Sequence, residues 1–168
     1  MKVVNSTWLC LLNGPINLDA LNPSLVSYNK SKFSAAVFKS KEKGTCLIFC
    51  TGKVVVIGVT DRLSALGTLK EAIRNLKIRR KIVSCKQKQI VVSGTIGHSI
   101  RLDKVYSKMS GLNPSYEAEL FPGMMFKHKN RNITLQHTGK FHITGSKSKG
   151  EASETYKFVL EWFKSNLS

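Results

Sequence analysis

Two hydrophobic spacings take turns along this chain, one of period two and one of helical period, and their order predicts the elements. Residues 2–12, with Val3, Val4, Trp8 and Leu9, predict a strand that Gly14-Pro15 breaks. A short helix is expected at Leu18-Asp19-Ala20-Leu21, stopped by Asn22-Pro23. Strand-type residues fill 26–39 and 45–59, with turns at Glu42-Lys43-Gly44 and Thr51-Gly52. There Leu47 and Phe49 share one face, as do Val55 and Ile57. Asp61 is placed to cap a helix in which Leu63, Leu66, Leu69, Ile73 and Leu76 recur at helical spacing to about residue 78. Lys70, Arg74 and Lys77 fall on its polar side.

The whole series then recurs. Tyr28, Phe33, Phe38 and Lys39 return as Tyr116, Phe121, Phe126 and Lys127 at a constant spacing of 88 (28 to 116). Thr51-Gly52-Lys53 and Gly58 return as Thr138-Gly139-Lys140 and Gly145 at 87 (52 to 139). An echo of that many positions marks two copies of one unit, residues 1–80 and 81–168, with the basic stretch from Lys77 to Lys88 between them. In the second copy, 89–95 is the strand that matches 2–8, so that Val91 takes the place of Val4, and 100–105 matches 16–21. Strands are expected around 115–128, 131–137 and 140–145. A last helix is expected from about Glu151, with Tyr156, Val159, Leu160 and Phe163 on one face. Each copy is therefore a strand, a short helix, several antiparallel strands and a long helix. Helices can cover only one face of such a sheet, which leaves the other bare.

The bare face is where chemistry is sought, and charge says for what. Across 168 residues, 27 Lys and Arg stand against 10 Asp and Glu, a formal charge of +17. That imbalance points to a polyanionic partner, nucleic acid or an acidic membrane surface. No apolar run approaches the ~20 residues that span a bilayer. The opening MKVVNSTWLCLL has the look of a short signal peptide but no small-residue cleavage site, and its second-copy counterpart is internal, so it reads as structure. Cys10, Cys46, Cys50 and Cys85 form neither a disulfide framework nor a zinc pair, and are expected as buried free thiols of a reducing compartment. They lack metal-ligand spacing with His98, His128, His137 or His142, so no metal and no cofactor is expected. On the bare face, Phe33, Leu47, Phe49, Val55 and Ile57 would form an apolar surface flanked by Lys39 and Lys53. An apolar patch rimmed by lysines marks a binding surface. No carboxylate pair or nucleophile–base pair falls there, which argues against an enzyme.

Residues 116–123, YEAELFPG, resemble the second-repeat motif YEPELFPG of the TATA-box-binding protein family. Residues 28–33, YNKSKF, and 46–53, CLIFCTGK, are similar to its first-repeat YNPKRF and LIFASGK segments, and the likeness runs in order along essentially the whole chain. It implies an α+β fold: a saddle of ten curved antiparallel strands in two repeats, with four helices on the convex face. It also implies double-stranded promoter DNA as partner, bound in the minor groove, with phenylalanine pairs wedged between base steps. The family is itself a standard example of that wedge mechanism.

Carried over residue by residue, Phe33 and Phe49 fall on the first wedge pair. Phe121, beside Pro122, falls on one member of the second, whose other position is Gln136. Val4 and Val91 match groove-facing valines, and Lys2 and Gln89 stand where the family has asparagine. Val55 and Leu47 match in the first copy, while His142 and Thr134 replace their second-copy counterparts. Thr144 matches a groove threonine whose first-copy counterpart is Ile57. Lys39, Lys53, Lys127 and Lys140 take the phosphate-contacting positions. Glu117, Glu119 and Leu120 match the loop presented to transcription factor IIB, so a factor-IIB-like protein is the expected partner, with a factor-IIA-like one as a second candidate. The repeat begins at residue 2, so no flexible N-terminal extension is expected. The expected place is the nucleus, or the site of viral transcription for a virus-encoded homologue. Two readings stay open: a promoter-DNA binder that bends TATA-like sites and recruits initiation factors, and a scaffold that assembles them with weak or non-TATA DNA binding.

Overall fold

A computed structural model describes residues 1–42 and 44–167, so Lys43, in the predicted turn at 42–44, lies outside the described residues. The chain divides into two compact units, residues 5–88 and residues 1–4 with 89–168.

In the first unit β1 (Lys2–Leu12, from Asn5 onward) is followed by β2 (Val26–Ser27), β3 (Ala35–Lys39), β4 (Thr45–Phe49), β5 (Lys53–Val59) and α1 (Arg62–Asn75). The strands are antiparallel in the order β2-β3-β4-β5-β1. Burial alternates along β4 and most of β5: Cys46, Ile48, Val54 and Val56 are inaccessible, while Leu47, Phe49, Val55 and Ile57 are half-buried. That is the signature of a sheet covered on one side. The cover is α1, and the core beneath it holds Trp8, Cys10, Phe38, Ile48, Leu69 and Leu76. Asp61 caps the helix, accepting from the Ser64 amide at 2.7 Å, and that N–H holds its carboxyl below the usual range. The helix stops at Asn75 rather than near 78 because Lys77 turns into the left-handed region at φ 53°. Its buried face is also rotated from the expected one. Ala65, Thr68, Leu69 and Ala72 face the sheet and Leu63 stands 83% exposed, because the two alanines let the helix approach closely.

In the second unit the strands run β6-β9-β8-β7, built from β6 (Ile82–Thr95, from Gln89 onward), β7 (Gly123–His128), β8 (Arg131–Gln136) and β9 (Lys140–Ser146). The α-helices are α2 (Leu102–Lys108) and α3 (Lys149–Leu167). Val92, Phe126, Ile133, Leu135, Phe141 and Ile143 fill the core with Val159 and Phe163 of α3.

The element count departs from ten strands and four helices: the described residues hold nine strands and three α-helices. The missing strand is the partner of β7. β2 pairs with β3 over two residues, but its counterpart has shrunk to one bridge, Ser115 with Met125. The missing helix is Leu18–Ala20, a single 3-10 turn that Asn17 caps and Asn22-Pro23 cuts short. A further correction concerns the cysteines. Cys10 and Cys85 are paired as a disulfide, and Cys46 and Cys50 are free, Cys50 being exposed rather than buried. Cys46 fits the expectation of a buried thiol, pushed up to about 12 by burial and then by the charge of Glu71.

Candidate nucleic-acid interface

Each half presents its uncovered sheet face through the same three devices. The first is the Thr-Gly-Lys turn. Gly52 and Gly139 sit at φ 91° and 80°, and a Cβ on either would lie 2.4 Å from Gly14 O or 2.0 Å from His98 O. Only glycine fits there, and each turn leaves an exposed lysine, Lys53 or Lys140, at the strand start.

The second device is the loop before β3 and β7, which sets out a phenylalanine. The Phe33 amide donates to Asn29 O at 3.0 Å, and the Phe121 amide donates to Glu117 O at 2.9 Å. The rings are left 45% and 42% exposed. Phe33 meets Phe49 edge-to-face, centroids 6.2 Å apart, so the structure assembles the first predicted pair. Phe49 is the ladder partner of Ala35. The equivalent pair is Gly123 with Gln136, and Phe121 lies so close over Gly123 that a Cβ there would sit 2.7 Å from its ring. Phe121 therefore lies over the residue paired with Gln136, with no second ring to meet. Pro122 is exposed beside it.

The third device is a row of side chains across four strands. In the first half Val37, Leu47, Val55 and Leu9 are successive ladder partners. In the second, Met125, Thr134, His142 and Ser93 occupy the same places. One step along, Lys39, Thr45 and Ile57 correspond to Lys127, Asn132 and Thr144. Val37, Leu9, Ser93 and Met125 are not among the face residues expected from the sequence. The signal was there in the phase of the strands, since Ala36 and Phe38 on either side of Val37, and Trp8 and Cys10 on either side of Leu9, are buried.

The register of β1 differs from the expected match of residues 2–8 with 89–95. Ser6 pairs with Val59 as Ile90 pairs with Ser146, so Ser6 to Ile90 is a step of 84 where Val59 to Ser146 is 87. Both strands bulge at the next residue. Asn5 and Thr7, rather than Lys2 and Val4, thus stand where Gln89 and Val91 stand. Asn5 accepts from the Gly58 amide at 3.0 Å. Val4 is 40% exposed, in phase with buried Ser6.

Between row and turn each half has a hollow. The first, about 570 Å³, is lined by Thr7, Leu9, Phe49, Cys50 and Val55 with Lys53 and Lys88. The second, about 640 Å³, is lined by Ser93, Thr95, Gln136 and His142 with Lys140 and Lys2. On the other loop surface Glu117 and Glu119 are exposed, and Leu120 stands 80% exposed.

Comparison with known proteins agrees with this geometry. The family model described as "Transcription factor TFIID (or TATA-binding protein, TBP)" matches residues 1–78 and 84–165. The TATA-box-binding protein of Emericella nidulans is 34% identical over 146 residues, covering 83% of this chain and 54% of that protein. The TATA box-binding protein-like 2 of Mus musculus is 32% identical over 154 residues, covering 86% of this chain and 44% of that protein. The chain thus spans about half the length of these two relatives. Among solved structures, Methanococcus jannaschii TBP superposes with a TM-score of 0.85 at 26% identity, over 98% of both chains.

Proposed function

The chain belongs to the TATA-binding protein family of transcription factors, which are not enzymes, and from that premise we propose that it binds promoter DNA through its uncovered sheet faces. The observation that carries this is the first half's surface: the Phe33–Phe49 pair at the end of the Val37–Leu47–Val55–Leu9 row, with Lys39 and Lys53 at its margins. Apolar rings can enter an opened base step, the branched aliphatics can lie on a minor-groove floor, and the lysines can reach phosphate on either side. In this reading each repeat, 1–80 and 81–168, lays one uncovered sheet face on the duplex, and Ser115 and Leu18–Ala20 are elements reduced from the family pattern. Phe121, Gln136, Thr144, Gln89, Val91, Lys127 and Lys140 are the second half's contacts, and Asn5 and Thr7 join the first half's. The exposed Glu117, Glu119 and Leu120 form the site for a factor-IIB-like protein, and the nucleus is the place of action.

The test is the salt dependence of duplex affinity. Each lysine–phosphate contact releases counterion, so log affinity should fall steeply and linearly with log salt. A folded protein that binds no duplex, or binds it equally at low and physiological salt, would favour the scaffold reading instead.

A further inference from the structure

The two hollows occupy the same ladder positions but have opposite chemistry. Leu9, Phe49 and Val55 in the first are replaced by Ser93, Gln136 and His142 in the second, while each hollow keeps two lysines. Thr134 extends the polar set where Leu47 stands in the first half. All four polar side chains are half-buried, and among the described residues none has a hydrogen-bond partner within the chain. Their polar atoms are open on the face and unbonded within the chain, so they can pair with groups supplied from outside.

We propose that the second half's hollow recognises the minor-groove edge of a G·C base pair, whereas the first half's hollow accepts A·T pairs alone. This rests on the DNA-binding reading above. In the minor groove A·T and T·A pairs offer only acceptors, and a G·C pair adds one donor, the guanine N2 amino group. Against Leu9, Leu47 and Val55 that donor would lose water and gain nothing, a cost that excludes it. Against the second row it meets acceptors: Gln136 Oε1, Thr134 Oγ1 and Ser93 Oγ. The flanking Lys140 and Lys2 supply the charge that holds a duplex, rather than an acidic peptide, in register over the face.

Inosine decides the question, because an I·C pair presents the groove edge of G·C without the N2 amino group. A TATA-like duplex is scanned one position at a time with A·T, I·C and G·C, and the affinity of the full chain is measured at fixed salt. Over the positions read by the second half, G·C should bind about three- to tenfold tighter than I·C, the worth of one net hydrogen bond. Over the rest, G·C should bind more weakly than I·C. A Thr134→Leu/His142→Val chain, carrying the first half's residues at two row positions, should shrink the G·C preference in the second half, and adding Ser93→Leu and Gln136→Phe should reverse it. Binding in which I·C equals or exceeds G·C at every position overturns the inference and leaves the DNA-binding reading standing. A folded chain that binds none of the duplexes overturns both.

Discussion

At the scale of single residues, one ladder pair shows how far the halves have drifted. Ser6 lies opposite Val59, donates to its carbonyl at 2.8 Å and accepts from the Trp8 indole at 2.8 Å. In the second half the serine has changed sides: Ile90 lies opposite Ser146, whose hydroxyl is buried and has no partner among the described residues. A buried hydroxyl that makes hydrogen bonds stabilises, and one that makes none destabilises. Ser146→Ala should therefore raise the unfolding free energy by about 1 kcal/mol, and Ser6→Ala should lower it by a similar amount or more. Denaturant unfolding of both variants checks this. Losses in both would mean that the Ser146 hydroxyl does have a partner.

Elements are held to one another by contacts that differ in how they respond to pH. On β7, His128 stacks on Phe158 of α3 with centroids 3.8 Å apart. Burial first, and then the charge of Lys129, hold it below its usual range. Glu154 of α3 is held below the carboxylate range by its hydrogen bond from Lys129 and then by Arg131, which donates at 2.8 Å. In both cases the folded value lies below the unfolded one, so the fold binds fewer protons and acid opposes it. The His128 contribution is present above about pH 6.5 and lost below it, and the Glu154 contribution is present above about pH 4.3 and lost below that. Urea unfolding should show stability declining in two stages on acidification, and His128→Phe should abolish the upper stage. A variant whose profile matches the parent would assign that stage to another group. Elements of this kind were only partly legible in the sequence. The Thr-Gly-Lys turns and both phenylalanine-bearing loops could be read because turn geometry restricts residue type locally. The buried face of α1 could not, since Leu63 and Ala65 trade places only once the closeness of the sheet is known. The β1 register was legible, since 16–21 and 100–105 already match at a step of 84, the same step that sets Ser6 against Ile90; extending the later step of 87 back to the first strand misplaces it by three residues.

For the molecule as a whole, the proposed DNA complex inherits the contrast between Phe49 and Gln136. Two rings can replace the stacking lost at an opened base step, and one ring beside an amide replaces less of it. The bend should therefore come mainly from the first half. Phe33→Ala or Phe49→Ala should remove most of it, Phe121→Ala less, and Gln136→Phe should add to it. Energy transfer between dyes on the two duplex ends measures all four. Equal losses from Phe49→Ala and Phe121→Ala, with no gain from Gln136→Phe, would mean that the halves bend DNA alike.

The matched rows have a last consequence, which concerns direction. A protein made of two copies of one unit can lie on a site either way round, and the two placements differ in energy only as far as the copies differ. Here one row reads Val37, Leu47, Val55, Leu9 and the other Met125, Thr134, His142, Ser93. Each 1.4 kcal/mol of difference between the placements sets a tenfold excess of one over the other. A cleavage probe tethered beside Phe33 would then cut one end of an asymmetric site in excess. In the proposed complex the polar row of the second half, with Gln136 beside it, would set which way along the duplex the protein points.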